Sequence, residues 1–408
     1  MSESVIGISP AGRTKVTLGD IARNISENEY KPKEKGLDRC VGLEHLDPGS
    51  LRICRWSPIT PEMSFTRRFY KGQILFGKRR AYQKKVSLAD FDGICSSDIL
   101  VIEAKKENFV PELLPFILQD DRFFEYAVGT SSGSLSPRTK WKYLAEYEIW
   151  LPSLDEQRRS ATTLWVTEDC IVNGERFLVE ADRVRQVLMR ELLTKGIGHT
   201  EFKETSVGRL PAEWAATSLK ELCNMIKDGT HLPPKRIRNG VPFLSASCIK
   251  NGILDFTDNV TYITEKDYDE IHKYFSINLN DVLLTIVGTI GRCAIVKSRK
   301  KFSIQRSVAC LRPNESIITP DFLYHALNNP EIQKKLKNSA NKTAQAGLYL
   351  NLLERIKIPI PPLPEQHQIT TILIHCDETI AAARANVRAA KTMKMKLINE
   401  MLGAKPII

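Results

Sequence analysis

Leu151-Pro152-Ser153-Leu154-Asp155-Glu156-Gln157 returns as Ile360-Pro361-Pro362-Leu363-Pro364-Glu365-Gln366, 209 positions later. The offset holds without a gap over nearly a hundred residues per copy. Upstream it pairs Ile99 with Val308, Pro111-Glu112 with Pro320-Asp321 and Leu118 with Leu327. Downstream it pairs Leu164 with Leu373, Ile171 with Ile380, Leu188 with Leu397 and Glu191 with Glu400. Self-similarity of this length marks a duplicated unit. The earlier part of each copy has drifted further. Leu18-Gly19-Asp20-Ile21 resembles Leu219-Lys220-Glu221-Leu222 at an offset of 201, and Ile74-Leu75 resembles Val282-Leu283 at 208. About seven residues were therefore gained or lost there, as the two offsets differ by 208 − 201. A fixed later part and a divergent earlier part suit a protein that reads two different things with one scaffold. Simple drift after duplication gives the same pattern.

After each Glu-Gln pair the pattern turns helical. Heptad a and d positions are Leu164, Thr167, Ile171, Gly174, Leu178, Ala181, Arg185, Leu188 and Leu192 in the first copy. In the second they are Leu373, Cys376, Ile380, Ala383, Val387, Ala390, Lys394, Leu397 and Met401. Such a stripe predicts helices packed along a seam. Prolines precede each helix, and Gly196 and Gly403 stand where glycine stops one. Small mid-helix d residues (Gly174, Ala181, Ala383, Ala390) let backbones approach. Arg185 and Lys394 share one a position. The plain reading of that pair is a snorkelling side chain with its charge in solvent; the sharper one is a register-setting contact or an exposed charge near a polyanion. Roughly 38 residues at ~1.5 Å each give a bar of ~57 Å, and an antiparallel pairing is the natural arrangement.

Before the helices, each copy reads as mixed α and β. Gln73–Phe76, Ile99–Ile102, Asp281–Val287 and Val308–Leu311 are strand-like runs, and helical segments are expected after Pro111 and Pro320. A Gly/Ser-rich loop from Gly129 to Ser136 leads towards the last strand. Gly288-Thr289-Ile290-Gly291 lacks the third glycine of a dinucleotide fingerprint and reads as a tight turn. Asn328-Asn329-Pro330-Glu331 lacks the second proline and the aromatic of an amino-methyltransferase motif and reads as a helix-ending turn.

A chain of 408 residues with 42% hydrophobic content has room for two domains, each with its own core. No apolar run approaches a membrane span, and no basic-then-apolar leader opens the sequence, so a cytoplasmic location is expected. Nine cysteines, an odd number with no paired spacing, suit reduced thiols. The net charge of +11 fits a polyanion binder, because Lys and Arg release counterions on neutralising phosphates, and fits a merely basic soluble protein equally well. Basic clusters at Arg67-Arg68, Lys78-Arg79-Arg80, Lys84-Lys85, Lys235-Arg236 with Arg238, and Arg299-Lys300-Lys301 have aromatic neighbours at Phe69, Tyr70, Tyr82 and Phe302.

No phosphate-binding Gly-x-x-x-x-Gly-Lys-Ser/Thr loop is present, nor His-Glu-x-x-His or Cys-x-x-Cys. The expectation is therefore no catalytic residue, no metal site and no cofactor bound by this chain.

A duplicated Pro-Leu-x-Glu-Gln hinge leading into a long helix resembles the specificity subunits of type I restriction–modification systems. Leu192-Leu193-Thr194-Lys195-Gly196-Ile197-Gly198-His199, running on to Gly208-Arg209-Leu210-Pro211-Ala212-Glu213-Trp214, is similar to that family's central connector. The first hinge departs slightly, with Ser153 and Asp155 where the second has Pro362 and Pro364. The resemblance implies an α+β fold: two mixed α/β target-recognition domains, separated by two long antiparallel coiled-coil helices, in a pseudo-two-fold repeat. The expected limits are 1–155 and 197–364 for the domains, and 156–196 and 365–408 for the helices. Each domain would read one half of a split, asymmetric site in double-stranded DNA. The helices would set the gap and dock two modification subunits, with Leu164, Ile171, Leu178, Leu188, Leu373, Ile380, Val387 and Leu397 along their seam. Restriction subunits would complete the complex, and S-adenosylmethionine, ATP and Mg²⁺ would belong to the partners.

Base edges would be read in the major groove while Lys and Arg on phosphates fix the register. The candidate DNA-binding residues are Lys78, Arg79, Arg80 and Lys84 in the first domain, and Lys235, Arg236, Arg238, Arg292 and Arg306 in the second. For each, the plain alternative is a solvated surface charge. Two rival functions stay open: a helical docking scaffold without DNA specificity, and a methyltransferase or nuclease with a degenerate site.

Overall fold

The computed structural model describes residues 12–250, 252–340 and 347–403. The outermost expected domain limits, residues 1 and 408, lie outside the described residues. The chain divides into two compact units: one running to Arg176 and resuming at Arg384, the other Phe177–Ala383.

In the first unit, the Ile99–Ala104 strand lies between Ala22–Ile25 and Ile74–Gly77, with Val86–Leu88 outside the latter, all antiparallel. The run is continuously apolar because both faces of this sheet are covered. The two-residue pleat sends Ile74, Phe76, Leu100 and Ile102 into a core with the helical segments after Pro111. It sends Leu75, Ile99 and Val101 the other way, against Val41, Leu46 and Phe69. A second, mixed sheet sets Arg39–Val41 parallel to Gly93–Cys95. A ribbon of Thr14–Thr17 with Glu148–Leu151 delivers the chain to Pro152.

The second unit repeats this plan. Val308–Pro313 lies between Cys223–Asp228 and Val282–Thr285, with Cys293–Ile295 outside, and Val241–Leu244 runs parallel to Ser303–Ile304. Pleat alternation divides Val282 and Leu284 from Leu283 in the same way. The first pairs of two ladders preserve the sequence offsets, before a bulge after Cys223 shifts the second unit's register by one. Thr14 pairs with Leu151 and Ala215 with Ile360; Ala22 pairs with Ala104 and Cys223 with Pro313. In each comparison the first partners differ by 201 and the second by 209. The expected punctuation is present too: a helix Pro320–Asn328 ends before another begins at Pro330, and Gly288 and Gly291 take left-handed φ of +77° and +96°. A short helix, Trp141–Leu144, intervenes between the Gly/Ser-rich loop and the last strand, an element the sequence pattern did not show.

The two hinges are locked by the same residue. Gln157 donates through Nε2 to the Pro152 carbonyl at 3.0 Å, and its Oε1 accepts from the Val110 N–H at 3.0 Å. Gln366 donates to the carbonyls of Pro361 and Ile317 at 2.9 and 2.8 Å and accepts from the Thr319 N–H at 2.9 Å. Both glutamines are buried. A side-chain amide carries both donors and an acceptor, so it satisfies strand-end and loop backbone groups that burial would otherwise leave unpaired. Glu156 caps Ser153 in the first hinge, where the second has Pro362.

Two long helices follow the hinges: α1 (Leu154–Lys195, 42 residues) and α2 (Leu363–Met401, 39 residues). Each unit contains a stretch of both. In the first unit Glu168 pairs with Lys394 and Glu175 with Lys391, one number rising as the other falls, so the stretches are antiparallel. A Cβ added to Gly174 there would collide with the Val387 side chain, so the small residue is what permits the approach. In the second unit Arg185 is held by Asp377 in a two-pronged ion pair. Of the expected seam residues, Leu164, Ile171, Leu373 and Ile380 are buried, and Leu178, Leu188, Val387 and Leu397 are half-buried. Gly196 and Gly403 end the helices at φ of +67° and +71°.

The snorkelling reading of Arg185 and Lys394 is corrected. Lys394 is 5% exposed, and its ammonium donates to Gln119 Oε1 at 2.9 Å and Glu168 Oε2 at 2.8 Å. An acid faces each cation across its seam, so neither charge needs solvent. No helix among the described residues is long and apolar enough to cross a membrane.

Candidate nucleic-acid interface

In the first unit, the turn after the Ile74–Gly77 strand places Lys78, Arg79, Arg80 and Lys84 in one hairpin. Their freedom differs. Arg79 bonds Asp98 at 3.2 Å and Ser136 Oγ at 2.9 Å, and Lys84 holds Asp121. Lys78 is half-buried, and desolvation, then the neighbouring Arg67, pushes its ammonium below the usual lysine range. Arg80 takes φ of +54° and Lys84 +52°, left-handed conformations that are costly without glycine. A second loop holds Arg80: its N–H donates to the Pro137 carbonyl at 2.8 Å, and the Thr139 N–H donates to the Lys78 carbonyl at 3.1 Å, while the Lys84 N–H closes a turn onto the Ala81 carbonyl at 2.9 Å.

That loop brings in Arg138, which sequence reasoning missed. Its guanidinium bonds Asp98 at 2.8 Å, and its backbone bridges Arg79. Burial works to raise the Asp98 carboxyl, but hydrogen bonds from Arg138 and Arg79 outweigh it and hold it below the usual carboxylate range.

In the second unit, Lys235, Arg236 and Arg238 are exposed on the connection before Val241–Leu244. Arg236 lies over the Phe243 ring at 4.3 Å. Thr230 bridges Gln305, which brings exposed Arg306 beside the start of that connection. Arg292 is exposed at the end of the Gly288–Gly291 turn; its carbonyl accepts from the Thr285 N–H at 2.8 Å, and the next N–H, of Ile286, donates to the Ser307 carbonyl beside Arg306 at 2.9 Å. The two hairpin turns occupy the same place in the fold yet differ in chemistry: Lys78-Arg79-Arg80 in one, Ile286-Val287-Gly288 in the other. The connector also has a function in the second unit. Glu365 accepts from Trp214 Nε1 at 2.9 Å and the Ile197 N–H at 3.0 Å, and lies 2.8 Å from His199 Nε2, fastening residues 197–214 to the start of α2. Among the described residues, no group of three or more His, Cys, Asp or Glu side chains is arranged to hold a metal ion.

Residues 211–388 match the type I restriction modification DNA specificity domain. The type I MjaVIII specificity subunit of Methanocaldococcus jannaschii is 25% identical over 350 residues, covering 82% of this chain and 76% of that one. The chain is thus similar to type I specificity subunits over most of its length. A second M. jannaschii relative, designated the MjaX specificity subunit, is 28% identical over 208 residues; there the match spans about half of each chain, 49% of this one and 48% of the relative. The S subunit of a type I restriction-modification system from M. genitalium superposes with a TM-score of 0.65 over 98% of both chains at 16% identity, which shows a shared fold.

Proposed function

We propose that this chain is a type I specificity subunit, the DNA-recognition subunit of a type I restriction–modification complex. Each unit is a target-recognition domain for one half of a bipartite, asymmetric site, and the long helices space the two and dock two modification subunits and the restriction subunits. The chain performs no bond chemistry. S-adenosylmethionine, ATP and Mg²⁺ act on the partners, and the complex works in the cytoplasm.

The observation that carries this reading is the pair of hairpin turns. Two units share strand order and a glutamine hinge lock, yet present Lys78-Arg79-Arg80 in one place and Ile286-Val287-Gly288 in the other. A scaffold kept constant beneath a changed surface suits two readers of different sequences. Val166, Val184 and Val187 stand about half exposed on α1, apolar surface that suits docked subunits. The test is selection of duplexes from a random pool by the purified chain. Enrichment of two separated half-sites, with affinity falling steeply as salt rises, supports the reading. Binding without sequence enrichment favours the docking scaffold, and turnover of DNA by the chain alone with Mg²⁺ or methyl donor favours an enzyme.

A further inference from the structure

The hairpin turn of the first unit carries more positive charge than the protein around it neutralises. Arg67, Lys78, Arg79 and Arg138 come from three separate segments; Asp98 is the carboxylate that faces Lys78, Arg79 and Arg138, while Arg67 adds its charge beside Lys78. Arg79 and Arg138 bond Asp98 directly at 3.2 and 2.8 Å, and the Lys78 N–H donates to its backbone carbonyl at 3.0 Å. Arg67 spends Nη1 on Ser26 Oγ and the Ile25 carbonyl, while among the described residues its Nε, like those of Arg79 and Arg80, has no hydrogen-bond partner. The nearby Glu27 and Glu29 are engaged by Arg68 and Tyr70. Burial, Arg67 and Arg138 all act to discharge Lys78, against Asp98. Like charges held this close are relieved by an arriving anion. The guanidinium groups are within reach, since the side chains of Arg79 and Arg138 are 37% and 47% exposed. Left-handed Arg80 and Lys84 flank the site, and backbone strain of this kind gathers at ligand clamps.

We propose that Arg67, Lys78, Arg79 and Arg138 form a seat for a backbone phosphate of duplex DNA, with Asp98 as the positioning residue that aims the Arg79 and Arg138 forks. This inference rests on the DNA-recognition reading. It also makes the grip one-sided. In the second unit, Ser307 stands at the place of Asp98 and Gly347 at that of Arg138, and Gly347 bridges Val287 as Arg138 bridges Arg79. Ile286 and Val287 replace Lys78 and Arg79.

The experiment measures affinity of the full chain for its selected duplex and for a scrambled one across a salt series. R138A and R67A should each lower the slope of log affinity against log salt by about one, with equal losses on both duplexes. R138K should keep the slope, and R138Q serves where R138A does not fold. D98N, with both forks released, should bind the scrambled duplex more tightly and discriminate less. Unchanged slopes in R138A, R138Q and R67A, with wild-type binding intact, overturn the seat alone. A wild-type chain that binds no duplex overturns the seat together with the DNA reading. Saturation by millimolar inorganic phosphate without competition against duplex assigns the seat to a small anion and overturns the proposal.

Discussion

The Lys394 ammonium lies 2.8 Å from the Glu168 carboxylate, with the two side chains 7% and 2% exposed. Adding 209 to Glu168 gives Asp377, and adding 209 to Arg185 gives Lys394. The Lys394–Glu168 pair is therefore the repeat mate of Arg185–Asp377, with acid and base exchanged between α1 and α2. Each unit closes its own seam with one such pair.

A buried pair is costly to break and cheap to replace. Lys394→Ala strands Glu168 and should cost about 3–5 kcal/mol. Lys394→Met with Glu168→Leu should recover most of that loss, leaving the deficits of the Gln119 side chain, which also accepts from Lys394, and of the Leu51 N–H, which donates to Glu168. Denaturant titration checks both; equal stability of the single and double variants would contradict the account.

The hinge glutamines should be stability determinants disproportionate to their size. Gln366→Ala removes three hydrogen bonds and leaves buried backbone groups of Thr319, Ile317 and Pro361 unpaired, a loss on the order of 3 kcal/mol. Gln366→Glu keeps the shape but loses both donors and should fare no better. Thermal unfolding of the two variants measures this.

How much of this was legible follows from where each signal resides. The hinge, the heptads and the glycine stops are local patterns, and the repeat doubles each of them. The acids opposite Arg185 and Lys394 left a trace as well, since Glu168 and Asp377 sit 209 apart, but a heptad reading alone sends a basic a residue to solvent. Arg138 left none. It reaches Asp98 through two loops folding onto each other, a tertiary fact with no periodicity. The basic candidates of the second unit are exposed, but spacing alone does not show that Lys235, Arg236 and Arg238 meet Arg306 through the Thr230–Gln305 bridge.

Burial of His325 pushes its imidazole down to about 4, with Arg185 acting in the same direction and Asp377 and Asp321 opposing. A neutral folded histidine is protonated more readily in the unfolded chain, so stability is full above the ordinary value near ~6.5 and declines as pH falls towards about 4. His325→Asn should flatten that decline, which pH-dependent denaturation of the second unit reads directly. An unchanged pH profile would show that His325 is not its source.

Base-reading and phosphate-holding residues should separate by specificity. If Arg292 meets a base edge, Arg292→Ala should cost ~1–3 kcal/mol on the selected duplex and relax one position of the site. Lys235→Ala, if Lys235 meets a phosphate, should weaken all sequences alike. Binding to a library of single-position variants distinguishes the two, and identical profiles for both variants would undo the assignment.

The central claim is that two different readers share one repeated scaffold. Co-expressing the chain with its modification partner and mapping methylated adenines by long-read sequencing tests it most directly. The account predicts a split, non-palindromic motif with unlike halves and a fixed gap. A palindromic motif, or none despite a stable purified complex, would contradict it.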